Sequence, residues 1–330
     1  MKLVRNTVDV LRADKWVPYE LADASSISNW VGPWQGRVNN LPVDVGRTSL
    51  LEEYDVPVSA SGGNSPWQGT SYGHPYNVVD ASVRPTTVWD LGRPITWNFF
   101  TPSFPTEKVP FPDVIRRQGD PLGSSDMRVI VLVENQRLYE MILFDYKPAS
   151  LPGAFGFPWQ AGYSGGGRGV FNYDLTKRFR KGSGGTPAAR VPKFPMIVRW
   201  DEIQRGYIDH TIFAVLPNYS SEKPAGWAEG TDGTWFGHPC RAGDILRLKQ
   251  EVVGRFALGT PERILAQALS EYGAFVGDKS SHGDPRAGKL SLAVGLDRRF
   301  AEGDGVIGPL GDLGLRLTDF EVVSGVEPWR

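Results

Sequence analysis

Only one cysteine, Cys240, occurs in the 330-residue chain. That excludes an intramolecular disulfide and any metal site built on several thiolates. Charge of one sign is missing too: 36 Lys and Arg stand against 37 Asp and Glu, a formal net charge of -1. No overall field therefore draws the chain to nucleic acid or to an anionic membrane surface. Long apolar runs are absent. No stretch approaches the roughly 18 uninterrupted apolar residues that a membrane helix needs, so no membrane insertion is expected. Residues 1–9 (MKLVRNTVD) lack the apolar core of about 7–15 residues that marks a secretory signal. The chain is accordingly expected to be cytosolic, a mature form, or exported by another route such as cell lysis. Histidine is scarce: His74, His210, His238 and His282, with no pair at the i, i+4 spacing of a helical metal site. Neither a metal nor a cofactor is expected.

What the chain does have is turn formers and rings. Gly 39 and Pro 26 supply many turns, and Trp 11, Tyr 11 and Phe 16 add β-forming side chains. With an apolar content of 40%, that mixture suits many short strands joined by structured loops. The run 128–133 is continuously apolar after Arg128, as in a strand buried on both faces. Glu134-Asn135-Gln136 is a turn, and 137–146 returns, so 128–146 reads as a β-hairpin. Further strands are expected at 76–79, 96–100, 169–175, 194–199, 207–216, 245–250, 274–276, 289–294 and 313–322. Asp201 is expected to cap one helical turn, 201–205, closed by Gly206. The longest helix is expected at 261–272, with Thr260 as N-cap, Pro261 at the first helical position and Gly273 ending it.

These elements predict a mostly β, all-β-class fold. The expected form is a jelly-roll-like antiparallel β-sandwich with one short helix packed on it. Residues 1–28 read as an N-terminal arm or assembly segment, and 29–330 as a single β-sandwich domain.

Candidate chemistry lies in three groups. Gly165-Gly166-Gly167-Arg168-Gly169 precedes a strand-like run instead of a helix, so it does not match a phosphate-cradling loop. His210, on an expected strand beside Asp209, has the residue type of a general acid or base near neutral pH; a hydrogen-bonded core histidine is the other reading. The carboxylates Glu140, Glu202 and Asp278 complete a candidate catalytic set with His210, since glycoside hydrolysis needs two carboxyls about 5–9.5 Å apart. An ion pair with an arginine explains Glu140 equally well. Tyr139, Trp159, Trp235 and His238 are candidate substrate-binding residues, because flat rings with a polar edge suit stacking on sugars. The alternative for the tryptophans is to plug the core beneath long loops.

A series of segments carries a resemblance. Asn39-Asn40-Leu41-Pro42-Val43-Asp44, Gly73-His74-Pro75-Tyr76-Asn77-Val78-Val79, Arg137-Leu138-Tyr139-Glu140, Val198-Arg199-Trp200-Asp201-Glu202-Ile203, Gly206-Tyr207-Ile208-Asp209-His210 and Tyr272-Gly273-Ala274-Phe275-Val276-Gly277-Asp278 follow one another in that order. The series resembles a family of actinobacterial secreted β-sandwich proteins, with similar modules among minor tail proteins of phages that infect those bacteria. It spans about residues 30–323. The missing secretory signal and the added N-terminal arm depart from the secreted pattern and favour the phage version. The resemblance implies a location and a glycan context and brings no catalytic residues with it.

The expectation is thus a non-enzymatic component of the virion tail that contacts host envelope glycan. Its implied partners are other virion tail proteins, host cell-wall polysaccharide and further copies of itself in a homo-oligomer or larger assembly, with no nucleic acid. The rivals are a secreted or tail-associated glycan hydrolase or lyase, located outside the cell, and a purely structural tail subunit.

Overall fold

The computed structural model describes residues 36–60, 74, 76–79, 82, 85–90, 107–110, 128–133, 137–147, 164–174, 184–280, 283–295 and 313–323. They are mostly β, as expected, with few and short helices. They belong to two compact units: one holds the described residues from 74 to 174, and the other holds 36–60 and those from 184 onward. Strand β1 (Val58–Ser59) belongs to the second unit, and β2 (Tyr76–Val79), β3 (Pro85–Asp90), β4 (Glu107–Pro110), β5 (Val129–Val133), β6 (Arg137–Lys147) and β7 (Ser164–Asp174) form the first.

In the first unit six strands run in the order β2-β5-β6-β7-β3-β4. The expected hairpin is its centre: β5 and β6 pair antiparallel from Val129↔Met141 to Val133↔Arg137. All five residues of β5 are buried, which is why the run carries no polar alternation. Val129, Val131 and Val133 share an apolar cluster with Tyr139, Met141, Val79 and Val109. Strand β2 keeps its expected bounds and lies parallel to β5. Buried Asn77 donates from Nδ2 to the Ile130 carbonyl at 2.9 Å, fastening that edge. Strand β7 begins at Ser164 and takes in the glycine triplet, with Gly165–Gly167 in register with Val88–Asp90 of β3.

The second unit holds β1, β8 (Ile212–Leu216), β9 (Ile245–Leu248), β10 (Ala274–Lys279), β11 (Leu290–Leu292) and β12 (Phe320–Val323), in the order β1-β11-β8-β10-β9-β12. Its helices are α1 (Val45–Ser49), α2 (Trp200–Arg205), α3 (Gln250–Val253) and α4 (Pro261–Glu271). Helix α4 is the longest among the described residues and starts as expected: Thr260 accepts from the Arg263 N–H at 3.2 Å, and Pro261 follows. Gly273, at φ 74°, ends it. Leu265, Ala268 and Leu269 are buried, and the helix packs on β9.

Both sheets are mixed, where an antiparallel arrangement is expected. β2 with β5, β3 with β7, β1 with β11 and β8 with β10 are parallel pairs. A parallel pair needs a long crossover in place of a tight turn, and the long loops supply it; β8 reaches β10 through β9, α3 and α4.

Four local expectations are corrected, the first being the strand expected at 313–322, of which only the part from Phe320 on is strand, after a 3₁₀ turn at Leu317–Asp319. Residues 194–196 form a 3₁₀ turn instead of a strand, because Pro195 has no N–H to give a ladder and Met196 N–H bonds back to the Lys193 carbonyl at 2.9 Å. Only Ile212–Leu216 of the expected strand 207–216 is strand; the residues before it are drawn off by the α2 stop at Gly206, φ 84°. Arg199, and not Asp201, is the N-cap of α2. The strand expected at 96–100 and the arm boundary at residue 28 lie outside the described residues.

Candidate functional site

Helix α2 and the start of β8 bring two of the predicted catalytic residues together. Glu202 stands in the first turn of α2, where a carboxylate suits the exposed N–H groups. Its Oε2 accepts from the Arg199 backbone N–H at 2.8 Å, and its Oε1 accepts from Arg199 Nη2 at 2.5 Å and from His210 Nε2 at 2.9 Å. The other ring nitrogen, His210 Nδ1, lies 2.8 Å from the Thr211 carbonyl oxygen. Both partners are acceptors, so both ring nitrogens must carry hydrogen to make the two bonds at once. Burial alone would raise the Glu202 carboxyl. The Arg199 guanidinium and the His210 ring outweigh it and hold the carboxyl down at about 2. Asp201 alongside is raised by burial, against the pull of Arg199 at 3.4 Å. His210 is 5% exposed and Glu202 0%. A histidine with both nitrogens donating has no lone pair to accept a proton from a substrate. The pair fastens α2 to the start of β8.

The remaining predicted residues belong to other elements. Glu140 is buried on β6 of the first unit, in register with Ile130 and Phe171. Tyr139 is part of the apolar cluster there. Trp159 lies outside the described residues. Asp278 is in register with Val215, whereas His210 lies beyond the Ile212 end of β8. At about 3.3 Å per residue, the three strand steps from Ile212 to Val215 alone put Asp278 roughly 10 Å from that end of β8. His238 is buried; its Nδ1 accepts from the Cys240 N–H at 3.0 Å and its ring lies 4.4 Å from that of Tyr54. Burial lowers its basicity to about 4, so the ring is neutral near pH 7. Burial also pushes the Cys240 thiol up and makes it unreactive.

A second grouping gathers around Tyr219, which follows β8 and is fully buried. The segment 231–237 folds over its ring. Tyr219 Oη donates to Asp232 Oδ1, and the Tyr219 carbonyl accepts from the Trp235 N–H at 3.1 Å. Asn218 Oδ1 takes the Thr234 N–H at 3.1 Å, and Asn218 Nδ2 reaches Thr234 Oγ1 at 2.9 Å. The Ser221 N–H returns to the Trp235 carbonyl at 3.1 Å. Gly233 fits because a Cβ there would lie 2.7 Å from the Tyr219 ring and 2.2 Å from the Ser220 carbonyl. The loop so pinned presents half-buried Trp235 and Phe236, the latter 86% exposed, with Gly237 at φ 80° closing the turn.

Charge is arranged beneath this loop. Gly277 is the extra residue of a β-bulge: Val276 pairs with Ala214 and Asp278 with the next residue, Val215. A bulge resets the alternation of the strand, and Asp278 comes to act on Asp232. Burial first, and then the Asp278 charge, push the Asp232 carboxyl up to about 7. Burial raises the Tyr219 phenol well above its ordinary range, and both aspartates add to that. Lys279 is lowered by burial while the two aspartates oppose the change.

Sequence reasoning singled out Trp235 and Asp278 but missed Tyr219, Asp232 and Phe236. The signal for Phe236 was present: an Asp-Gly pair at 232–233, then Trp235-Phe236-Gly237, is an aromatic doublet beside turn-forming residues. Nothing local marks Tyr219 as the post beneath it. Among the described residues no His, Cys, Asp and Glu side chains converge in a set fit for a metal ion, and no helix is long and apolar enough to cross a membrane. No family model, no curated protein and no solved structure matches the chain.

Proposed function

We propose that this protein is a non-enzymatic component of a phage tail that binds host envelope polysaccharide through the loop 231–237. The observation that carries the binding part is Phe236, 86% exposed, next to Trp235 on a loop whose backbone is held from below. An exposed aromatic on a fixed loop loses little freedom when a sugar face stacks on it. The non-enzymatic part is supported by His210 and Glu202, whose polar atoms are turned on one another and on Arg199. The tail location rests on the family resemblance of the segments between about residues 30 and 323. A jelly-roll sandwich is no requirement of this reading, since mixed sheets can carry the same loop.

One observation favours the rival, a tail-associated or secreted glycan hydrolase or lyase. Asp232 holds its proton up to about 7 beside a second carboxyl, Asp278, and such a pair is what acid–base cleavage of a glycosidic bond uses. One experiment separates the two. The full chain and Phe236→Ala are incubated with purified host cell-wall polysaccharide, and both retention and released reducing ends are measured. Retention without release, weakened about tenfold or more by the substitution, is expected for a stacking contact of roughly 1–3 kcal/mol. Release of reducing ends overturns the non-enzymatic reading, and retention that Phe236→Ala leaves unchanged removes the loop from it.

A further inference from the structure

Asn218, just past β8, is fully buried, and both polar atoms of its side chain are in use. Its Oδ1 accepts from the Tyr219 N–H at 2.9 Å and from the Thr234 N–H at 3.1 Å. Its Nδ2 donates to Thr234 Oγ1 at 2.9 Å and to the Gly283 carbonyl at 3.0 Å. One amide thus ties two loops to the end of one strand: the aromatic loop 231–237 and the segment 283–288. Sharing a donor atom keeps Thr234 Oγ1 within about 6 Å of the Gly283 carbonyl oxygen.

The second loop carries an exposed ion pair. Arg286 Nε donates to Asp284 Oδ1 at 2.9 Å, and Arg286 Nη2 donates to Oδ2 at 2.8 Å. The Arg286 backbone N–H also reaches Oδ1 at 2.9 Å, which fixes the carboxylate in its turn. The arginine side chain is 59% exposed and the aspartate 42%. A pair so exposed adds little to stability, so holding the fold together does not account for it. The fork uses two of the five guanidinium N–H groups and leaves carboxylate lone pairs over. Asp284 foremost holds the Arg286 charge, and Tyr54 adds to that. The Tyr54 ring lies 4.4 Å from that of His238, just after the aromatic loop.

We propose that the two loops tied by Asn218 form one site for a neutral saccharide: Phe236 and Trp235 stack on a sugar face, and the Asp284–Arg286 pair hydrogen-bonds the hydroxyls at its edge. The site rests on the glycan-binding reading above and narrows its ligand class. Adjacent ring hydroxyls each donate and accept, so one donates to the carboxylate while its neighbour accepts from the guanidinium. The pair carries no net charge and sets up no field that would draw a uronic acid or a phosphodiester. Both halves are held before the ligand arrives, by Asn218 and by the fork itself, so little freedom is lost on binding.

The test compares the full chain with Phe236→Ala, Arg286→Ala and Arg286→Lys. Host cell-wall polysaccharide is divided by anion exchange into neutral and acidic fractions, and retention on each is measured. Because the pair is exposed, both Arg286 variants are expected to keep the parent melting temperature. The parent is expected on the neutral fraction, indifferent to salt between about 0.05 and about 0.5 M. Arg286→Ala should weaken that retention about tenfold, the share of one hydrogen bond to a charged group. Arg286→Lys should weaken it about as much, since lysine keeps the charge and loses the fork. Full retention by Arg286→Lys, preference for the acidic fraction, or a steep fall with salt overturns the neutral class. Hydrogen exchange of the parent, with and without the neutral fraction, reads the loops separately. The Thr234 and Trp235 amides and those of Arg286 and Ala287 are expected to slow together. Should an Arg286 variant melt lower, this footprint on the parent decides. Retention that Phe236→Ala weakens and Arg286→Ala does not, with only the 234–235 amides slowed, overturns the two-loop site and leaves the aromatic loop's binding standing. A parent held by neither fraction defeats the glycan-binding reading and this site with it.

Discussion

His210 Nε2 lies 2.9 Å from Glu202 Oε1, with both side chains out of water and Arg199 on the same carboxylate. A histidine so placed is a structural bolt between α2 and the start of β8. Its two acceptors and its burial make sense only together.

Replacing it tests that role. His210→Ala leaves the Thr211 carbonyl and one side of Glu202 without their partner, at a cost of about 1–3 kcal/mol. Thermal unfolding should report the loss, and neither protein should release reducing ends from polysaccharide. An unchanged melting temperature would contradict the bolt.

Glu202 sets the behaviour in acid. Its carboxyl sits at about 2 in the fold against an ordinary value near 4.5. A depressed carboxyl contributes stability that is complete above its ordinary value and is lost as pH falls toward the folded one. Denaturant unfolding measured between about pH 5 and about pH 2 should therefore show a falling acid limb. In Glu202→Gln that part of the limb should be flatter. The variant should also be weaker at neutral pH by about 3–5 kcal/mol, because the buried Arg199 guanidinium loses the Glu202 carboxylate.

Gly277 carries a third prediction. A Cβ there would stand 2.1 Å from the Phe213 ring, and its backbone carbonyl already accepts from the Ala189 N–H at 3.0 Å. Gly277→Ala must displace the ring or the bulge, at about 1–3 kcal/mol or more for overpacking. Because Asp278 follows the bulge and its charge raises the Asp232 carboxyl, the titration of Asp232 should shift as well. Measuring both in one variant distinguishes a packing defect confined to the core from one that reaches the loop. A variant as stable as the parent would show that the bulge is soft.

Elements whose signal is local were legible in the sequence. The apolar run 129–133 with its turn fixed the hairpin, and Thr260-Pro261 with Gly273 fixed α4, since capping and turn chemistry act over a few residues. The parallel pairs were not legible. The pairing of β1 with β11 joins residues from opposite ends of the chain, and nothing in Val58-Ser59 names its partner. At the site the same divide holds. Glu202 and His210 lie eight residues apart, so their meeting was within reach of pattern reading. Asp278 acts on the charge of Asp232 from just after a one-residue bulge in β10, and alternation counted along the strand misses that bulge.

The sheet of the second unit also imposes an order on synthesis. β1 is made early, yet its neighbour β11 comes more than two hundred residues later, and Val43 bridges to Val323 near the end of the chain. The strands β2–β7 form a contiguous stretch between them. On a ribosome that stretch can collapse while β1 is still waiting, since sheet pairing across such distances is slow and must follow emergence of the last strand. Truncation by even a few residues at the β12 edge would leave β9 and the segment before α1 with unpaired backbone, exposed for the whole lifetime of the nascent chain.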